Sequence, residues 1–161
     1  MKSNFIQRAI TGIIFIAVLI GCILGGGIPF TILFALISAL TIHEFGTIVN
    51  RTGKVQMNKR ITVLSGVFLF LCFSYTGVVP GTYEIFIPYL FLIMYLLISE
   101  LYMKRKDPIN NWAYGMMSQL YIALPFALLN VLAYHTTEAE GISQYNPILP
   151  LSIFIFNWVN D

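Results

Sequence analysis

Long apolar runs broken by short polar connections dominate the chain: Ala9 to Gly27, Pro29 to Val49, Ile61 to Val79, Ile85 to Met103 and Tyr114 to Tyr134. A hydrocarbon core about 30 Å thick takes roughly 20 helical residues at about 1.5 Å each, and unpaired backbone groups are too costly there for an irregular chain. A sixth run, ILPLSIFIFNWVND, starts near Ile148 and reaches Asp161. The pattern predicts an all-α polytopic integral membrane protein: one transmembrane domain over 1–161, with five spans and the start of a sixth over 148–161. Between spans one and two stands Gly25-Gly26-Gly27-Ile28-Pro29, a tight turn joining antiparallel helices, because glycine takes any backbone angle and proline starts a helix well. The connections are too short to hide a soluble domain, and no internal repeat is visible.

Composition points the same way. Hydrophobic residues make up 58% of the chain and charged residues only 10%, which cannot furnish a water-facing surface. An average soluble domain carries roughly 25% charge. A net charge of +2 gives no case for nucleic acid. Cys22 and Cys72 both lie in apolar runs, with no metal spacing and no disulfide framework. Lys2 and Arg8 before an apolar run also suit a cleaved signal peptide, but the run is long, lacks an A-x-A site and is followed at once by another span.

The placement of the charges sets an orientation. Lys2 and Arg8 precede span one; Arg51, Lys54, Lys59 and Arg60 join spans two and three; Lys104, Arg105 and Lys106 join spans four and five. These nine are all the lysines and arginines in the chain, and they fall in alternate connections. The intervening connections carry Glu84, Glu138 and Glu140 instead. Because basic residues stay on the cytoplasmic side, the N-terminus is expected there. The basic loops read first as topology determinants and second as attractors of anionic lipid heads or phosphates.

Polar residues within the spans are candidates for function, since each costs free energy unless it is paired or faces a cavity. His43 and Glu44 stand about four residues inside the cytoplasmic end of span two. Glu44 suits either a site or a headgroup-level carboxylate; His43 suits packing or the interface, with no second ligand at metal spacing. Tyr114, Ser118 and Tyr121 share a helical face beside Gln119, with Pro125 to kink the helix, a pattern explained by interhelical hydrogen bonding. Glu100 and Lys104 have the spacing of a helical ion pair. In the sixth run Asn157, Asn160 and Asp161 share one side. A helix from Ile148 to Asp161 rises about 20 Å, short of a full crossing, so the chain is expected to be the front part of something longer; a half-membrane hairpin is the alternative.

RAITGIIFIAVLIG at Arg8, IHEFGTIV at Ile42, YGMMSQLYIALPFALLNVLAY at Tyr114 and NPILPLSIFIFNWVND at Asn146 resemble the N-terminal half of bacterial phosphatidate cytidylyltransferase, or CDP-diacylglycerol synthase. The resemblance runs through essentially all 161 residues in order. It implies a multi-pass enzyme of the bacterial inner membrane that joins CTP to phosphatidic acid with magnesium, giving CDP-diacylglycerol and pyrophosphate. Asp161 matches the first aspartate of a family motif and is the residue implied for catalysis and metal binding, with Glu44 a weak second. The family's later signatures, a serine-proline-lysine segment and a histidine-glycine-glycine followed by aspartate-arginine, do not occur here. These residues alone are therefore expected to be inactive. A transporter and a non-catalytic membrane subunit are the alternatives, and a homo-oligomer is compatible with the pattern.

Overall fold

Small and hydroxylated side chains let one helix sit at the centre of the bundle. The computed structural model describes residues 2–105, 107–136 and 143–160. Its helices are α1 (Lys2–Leu24), α2 (Gly27–Arg51), α3 (Lys59–Val78), α4 (Ile87–Tyr102), α5 (Pro108–Ser118), α6 (Leu124–Ala133) and α7 (Ile148–Asn160). A 3-10 turn, Tyr83–Phe86, leads into α4, and a π-helical stretch, Gln119–Ala123, joins α5 to α6. Five helical segments are long and apolar enough to cross a membrane, the fifth running unbroken from Pro108 to Ala133. α3 packs between α2 and α6 and buries Thr62, Ser65, Gly66, Cys72 and Ser74. Such residues allow close backbone approach where hydrocarbon offers no hydrophobic drive for association. A methyl group on Gly66 would meet Ile42 and lie 3.2 Å from Ala123 Cβ, so this glycine is where α2, α3 and the fifth span converge.

α1 and α4 lie at the edge. Ile13, Ile14 and Phe15 on α1 and Leu90, Phe91 and Met94 on α4 are exposed, as surfaces facing lipid or further helices should be. The apolar core has an aromatic end, where Phe30, Phe34 and Phe70 pack with Leu19, Ile23 and Leu129, and where Phe154 of α7 stacks 5.7 Å from Phe34. The glycine turn forms as expected. Gly26 takes φ 110, a conformation that favours glycine, and α2 starts at the next residue.

Four details depart from the sequence reading. The fifth span starts at Pro108, six residues before Tyr114, because the Asp107 side chain caps the helix by accepting from Asn110 N and Pro108 takes the first turn. The connection after this span contains an antiparallel pair of strands, β1 (Tyr134–Thr136) and β2 (Ser143–Tyr145), where only a loop was expected. The fifth span stays helical through Pro125. The fifth span widens into the π stretch just ahead of it, which accommodates the proline ring and shifts the register. Ser118 and Gln119 are therefore buried while Tyr121, expected on the same face, is 75% exposed. Finally, α4 ends at Tyr102 and Lys104 sits at φ 45, so the helical Glu100–Lys104 pair cannot form; Glu100 pairs with Arg105 instead.

The bundle has two chemically distinct ends. At one, Tyr145 Oη donates to Ile23 O at 2.7 Å, Ser143 Oγ donates to Gly77 O, and Tyr134 packs against Gly27 and Gly77. At the other, the α2–α3 and α4–α5 connections touch, and these carry Arg51, Lys54, Lys59, Arg60, Lys104 and Arg105. Antiparallel packing thus gathers the basic connections that the sequence placed in alternation.

Candidate functional site at the basic end of the bundle

The α2–α3 connection is fastened to its own helix ends. Asn50 donates through Nδ2 to Met57 O at 3.1 Å and accepts from Met57 N at 2.9 Å, while Thr62 Oγ1 donates to Asn58 O at 2.7 Å. Asn111, in the first turns of α5, reaches across: its Oδ1 accepts from Gln56 N at 2.6 Å and its Nδ2 donates to Glu100 Oε2 at 3.1 Å. The other carboxylate oxygen of Glu100 accepts from Arg105 Nη1 at 2.9 Å, and the same nitrogen donates to Gln56 O at 3.0 Å. A closed ring of four residues, Gln56, Glu100, Arg105 and Asn111, ties the two basic connections together.

Burial makes this ring energetically significant. Glu100 and Asn111 are 4% and 2% exposed, whereas the Arg105 side chain is 24% exposed. A desolvated carboxylate is tolerable only when its oxygens are satisfied, and both are. Sequence reasoning set Glu100 in a local helical pair and left Asn111 in a loop. The Asp107-Pro108 start that carries Asn111 into the helix was the available clue.

Further along the fifth span, Gln119 Nε2 donates to Thr62 O at 2.9 Å. The buried Gln119 Oε1, Asn130 Oδ1 and Ser38 Oγ have no partner among the described residues. Gln119 is thus an interhelical contact, as the sequence suggested, whereas Ser118 Oγ donates to Gly115 O at 2.7 Å and Asn130 Nδ2 to Ala127 O at 3.1 Å within their own helix.

The residues implied by resemblance lie elsewhere. His43 and Glu44 are exposed, on the opposite side of α2 from buried Ile42, Gly46 and Val49. Glu44 has no ion-pair partner among the described residues. On α7, Leu151, Phe154 and Trp158 pack against the bundle, leaving Asn157 and Asn160 exposed on another face. Asp161 lies outside the described residues. No cluster of three or more His, Cys, Asp or Glu side chains that could hold a metal ion occurs among the described residues. With Glu44 alone and Glu100 committed to Arg105 and Asn111, the described residues do not by themselves fit a magnesium site.

Five apolar segments of membrane-spanning length, packed through small and polar residues, define a multi-pass membrane protein. Within that class the chain belongs to the cytidylyltransferase family, which it matches over residues 6–161, all but its first five. Neither a curated protein nor a solved structure matches it.

Proposed function

We propose that the chain forms the membrane-spanning front part of a bacterial inner-membrane phosphatidate cytidylyltransferase, which converts CTP and phosphatidic acid to CDP-diacylglycerol and pyrophosphate. The observation that carries the reading is the family match over residues 6–161, which takes in the whole bundle. In the reaction a lipid phosphate oxygen attacks the α-phosphorus of CTP; one P–O bond forms and the bond to pyrophosphate breaks. Anions must be brought together, so cationic groups and carboxylate-held metal are required to offset charge. On this reading the N-terminus and the basic end of the bundle face the cytoplasm, where CTP is found. α7 enters from the opposite end and rises about 20 Å toward the cytoplasmic side. Asp161 then contributes a carboxylate for metal or nucleotide, and Glu44 is a secondary candidate. Magnesium is the cofactor the family reading implies, held largely by groups outside the described residues.

A transporter reading has less support. The fifth span passes Pro125 by widening and continues to Ala133, so it presents no pair of half-helix ends at mid-membrane.

The test is conversion of labelled CTP and phosphatidic acid by membranes carrying the complete reading frame, with magnesium supplied. CDP-diacylglycerol and pyrophosphate should appear in equal amounts, and residues 1–161 alone should form neither. Failure of the complete protein to use CTP, or turnover by 1–161 alone, contradicts the proposal.

A further inference from the structure

A groove of about 230 Å³ opens between the end of α4 and the start of α5, beside the ring that ties the basic connections together. Leu97, Leu101, Pro108, Ile109 and Trp112 line it, with Glu100 at its inner edge. The volume falls below the roughly 300–1,000 Å³ of pockets for drug-sized ligands, and the lining is almost wholly apolar, which suits a segment of hydrocarbon chain and not a nucleotide. Leu101 and Ile109 are each more than three-quarters exposed, so the groove opens outward from the bundle.

Beside its Glu100 edge the chain is cationic, with Arg105 Nη1 2.9 Å from Glu100 Oε1. Residues 102–107 connect Leu101 to Pro108 and contain three basic residues against a single acid, Asp107, with Lys104 and Arg105 among the described residues. Asp107 is engaged with the N-terminus of α5, accepting from Asn110 N. Lys104 is exposed and without an ion-pair partner among the described residues. Arg105 neutralises Glu100 through Nη1 alone, and its Nε and Nη2 donate to no acceptor among the described residues. Arginine has five N–H donors in a fork suited to phosphate, so this guanidinium retains capacity for an anion while anchored by one nitrogen. The Arg105–Gln56 contact also brings in the α2–α3 connection, which carries Arg51, Lys54, Lys59 and Arg60 and no acid.

We propose that the α4–α5 groove and the adjoining Lys104 and Arg105 form a docking site for an anionic phospholipid, with an acyl chain along Leu97, Leu101, Ile109 and Trp112 and the phosphate at Lys104 and Arg105. Charge complementarity selects this occupant: another apolar helix would fill the slot but leave the adjoining cations unanswered, whereas an anionic lipid satisfies both. Trp112 supports the placement, since tryptophan gathers at the headgroup level. The site requires only the membrane-embedded fold and stands or falls apart from CTP turnover.

The experiment places the purified protein in phosphatidylcholine nanodiscs with a trace of phosphatidic acid carrying a diazirine in its acyl chain, and maps the labelled peptides. Label should fall on segments 97–101 and 109–112 and be displaced by phosphatidylglycerol, but not by added phosphatidylcholine or inorganic phosphate. Lys104→Glu should reduce labelling about five-fold or more, from the attraction of one basic residue near an anionic surface. Ile109→Trp, filling the slot from an exposed position, should reduce it without altering thermal unfolding. Displacement by phosphatidylcholine would make this ordinary annular lipid, and displacement by inorganic phosphate would make it an anion site with no role for the groove. Cross-linking of the groove to another segment of the protein would assign it to helix packing. Each of the three overturns the proposal.

Discussion

Glu100 shows how much a single residue's meaning depends on where a helix stops. Four residues before Lys104 it suits a weak surface pair worth a few tenths of a kcal/mol, about 0.3–0.5. Once the helix ends at Tyr102, it becomes a buried carboxylate bonded to Arg105 and Asn111. Removing one partner of such a pair leaves the other desolvated. Glu100→Gln and Arg105→Gln are therefore each expected to destabilise the protein by about 1–3 kcal/mol, discounted for the partial exposure of Arg105. The double variant should cost less than the sum, by about 0.5 kcal/mol or more, in thermal unfolding in detergent. Additive losses would show that the ring is not a unit. The sequence contained these side chains but not the left-handed turn at Lys104 that regroups them.

At the scale of elements, the apolar spans were legible because hydrocarbon imposes both a length and a complete hydrogen-bonding requirement. What escaped was local: the start of α5 six residues early, the π stretch and the short strands. These depend on a cap, a proline clash and a few tertiary contacts, which hydropathy does not register. Gly77 tests one such contact. A Cβ there would lie 2.8 Å from Tyr134 Cδ2 and 3.1 Å from Tyr134 Cβ. The root of a ring cannot swing aside as the end of an aliphatic chain can, so Gly77→Ala is expected to cost about 1–3 kcal/mol and separate β1 from α3. Limited proteolysis of the hairpin should quicken accordingly; unchanged cleavage would mean that the contact is slack.

The same hairpin should respond to alkali. Burial, followed by the neighbouring Tyr134, pushes the Tyr145 phenol from 10.0 up to about 12. The neutral phenol donates to Ile23 O, and the phenolate cannot. With the folded value raised above the unfolded one, this stabilisation is complete below pH 10 and is lost as pH rises through about 12. Protection of the β1 and β2 amides, taken relative to the base-catalysed intrinsic exchange rate, should fall over that interval in the wild type. Tyr145→Phe should show no such step, and a step retained in this variant would exclude Tyr145 as its source.

On the scale of the whole molecule, the charge pattern and the packing agree on two ends, one basic and one built from glycine, tyrosine and the hairpin. A reporter fused near Lys54 or Arg105 is expected to be cytoplasmic, and one near Gly81 or Glu140 external. Reversed labelling would contradict the orientation. The candidate site was less legible than the fold. Family resemblance singled out Asp161 and Glu44, yet Glu44 stands on an exposed face and Asp161 lies beyond the described helix end. The polar ring that the bundle does assemble came from residues without a distinguishing motif. Neither residue has acidic companions close by in the sequence.

The central proposal, that Asp161 serves cytidylyl transfer, is tested most directly by Asp161→Asn in the complete protein. Amide and carboxylate are alike in size and differ in charge, so expression and membrane insertion should persist. Formation of CDP-diacylglycerol from CTP and phosphatidic acid should fall below about a hundredth of wild type, as expected when a metal- or charge-stabilising group is lost, while Asn157→Ala should do less. Turnover by Asp161→Asn close to that of wild type would contradict the account.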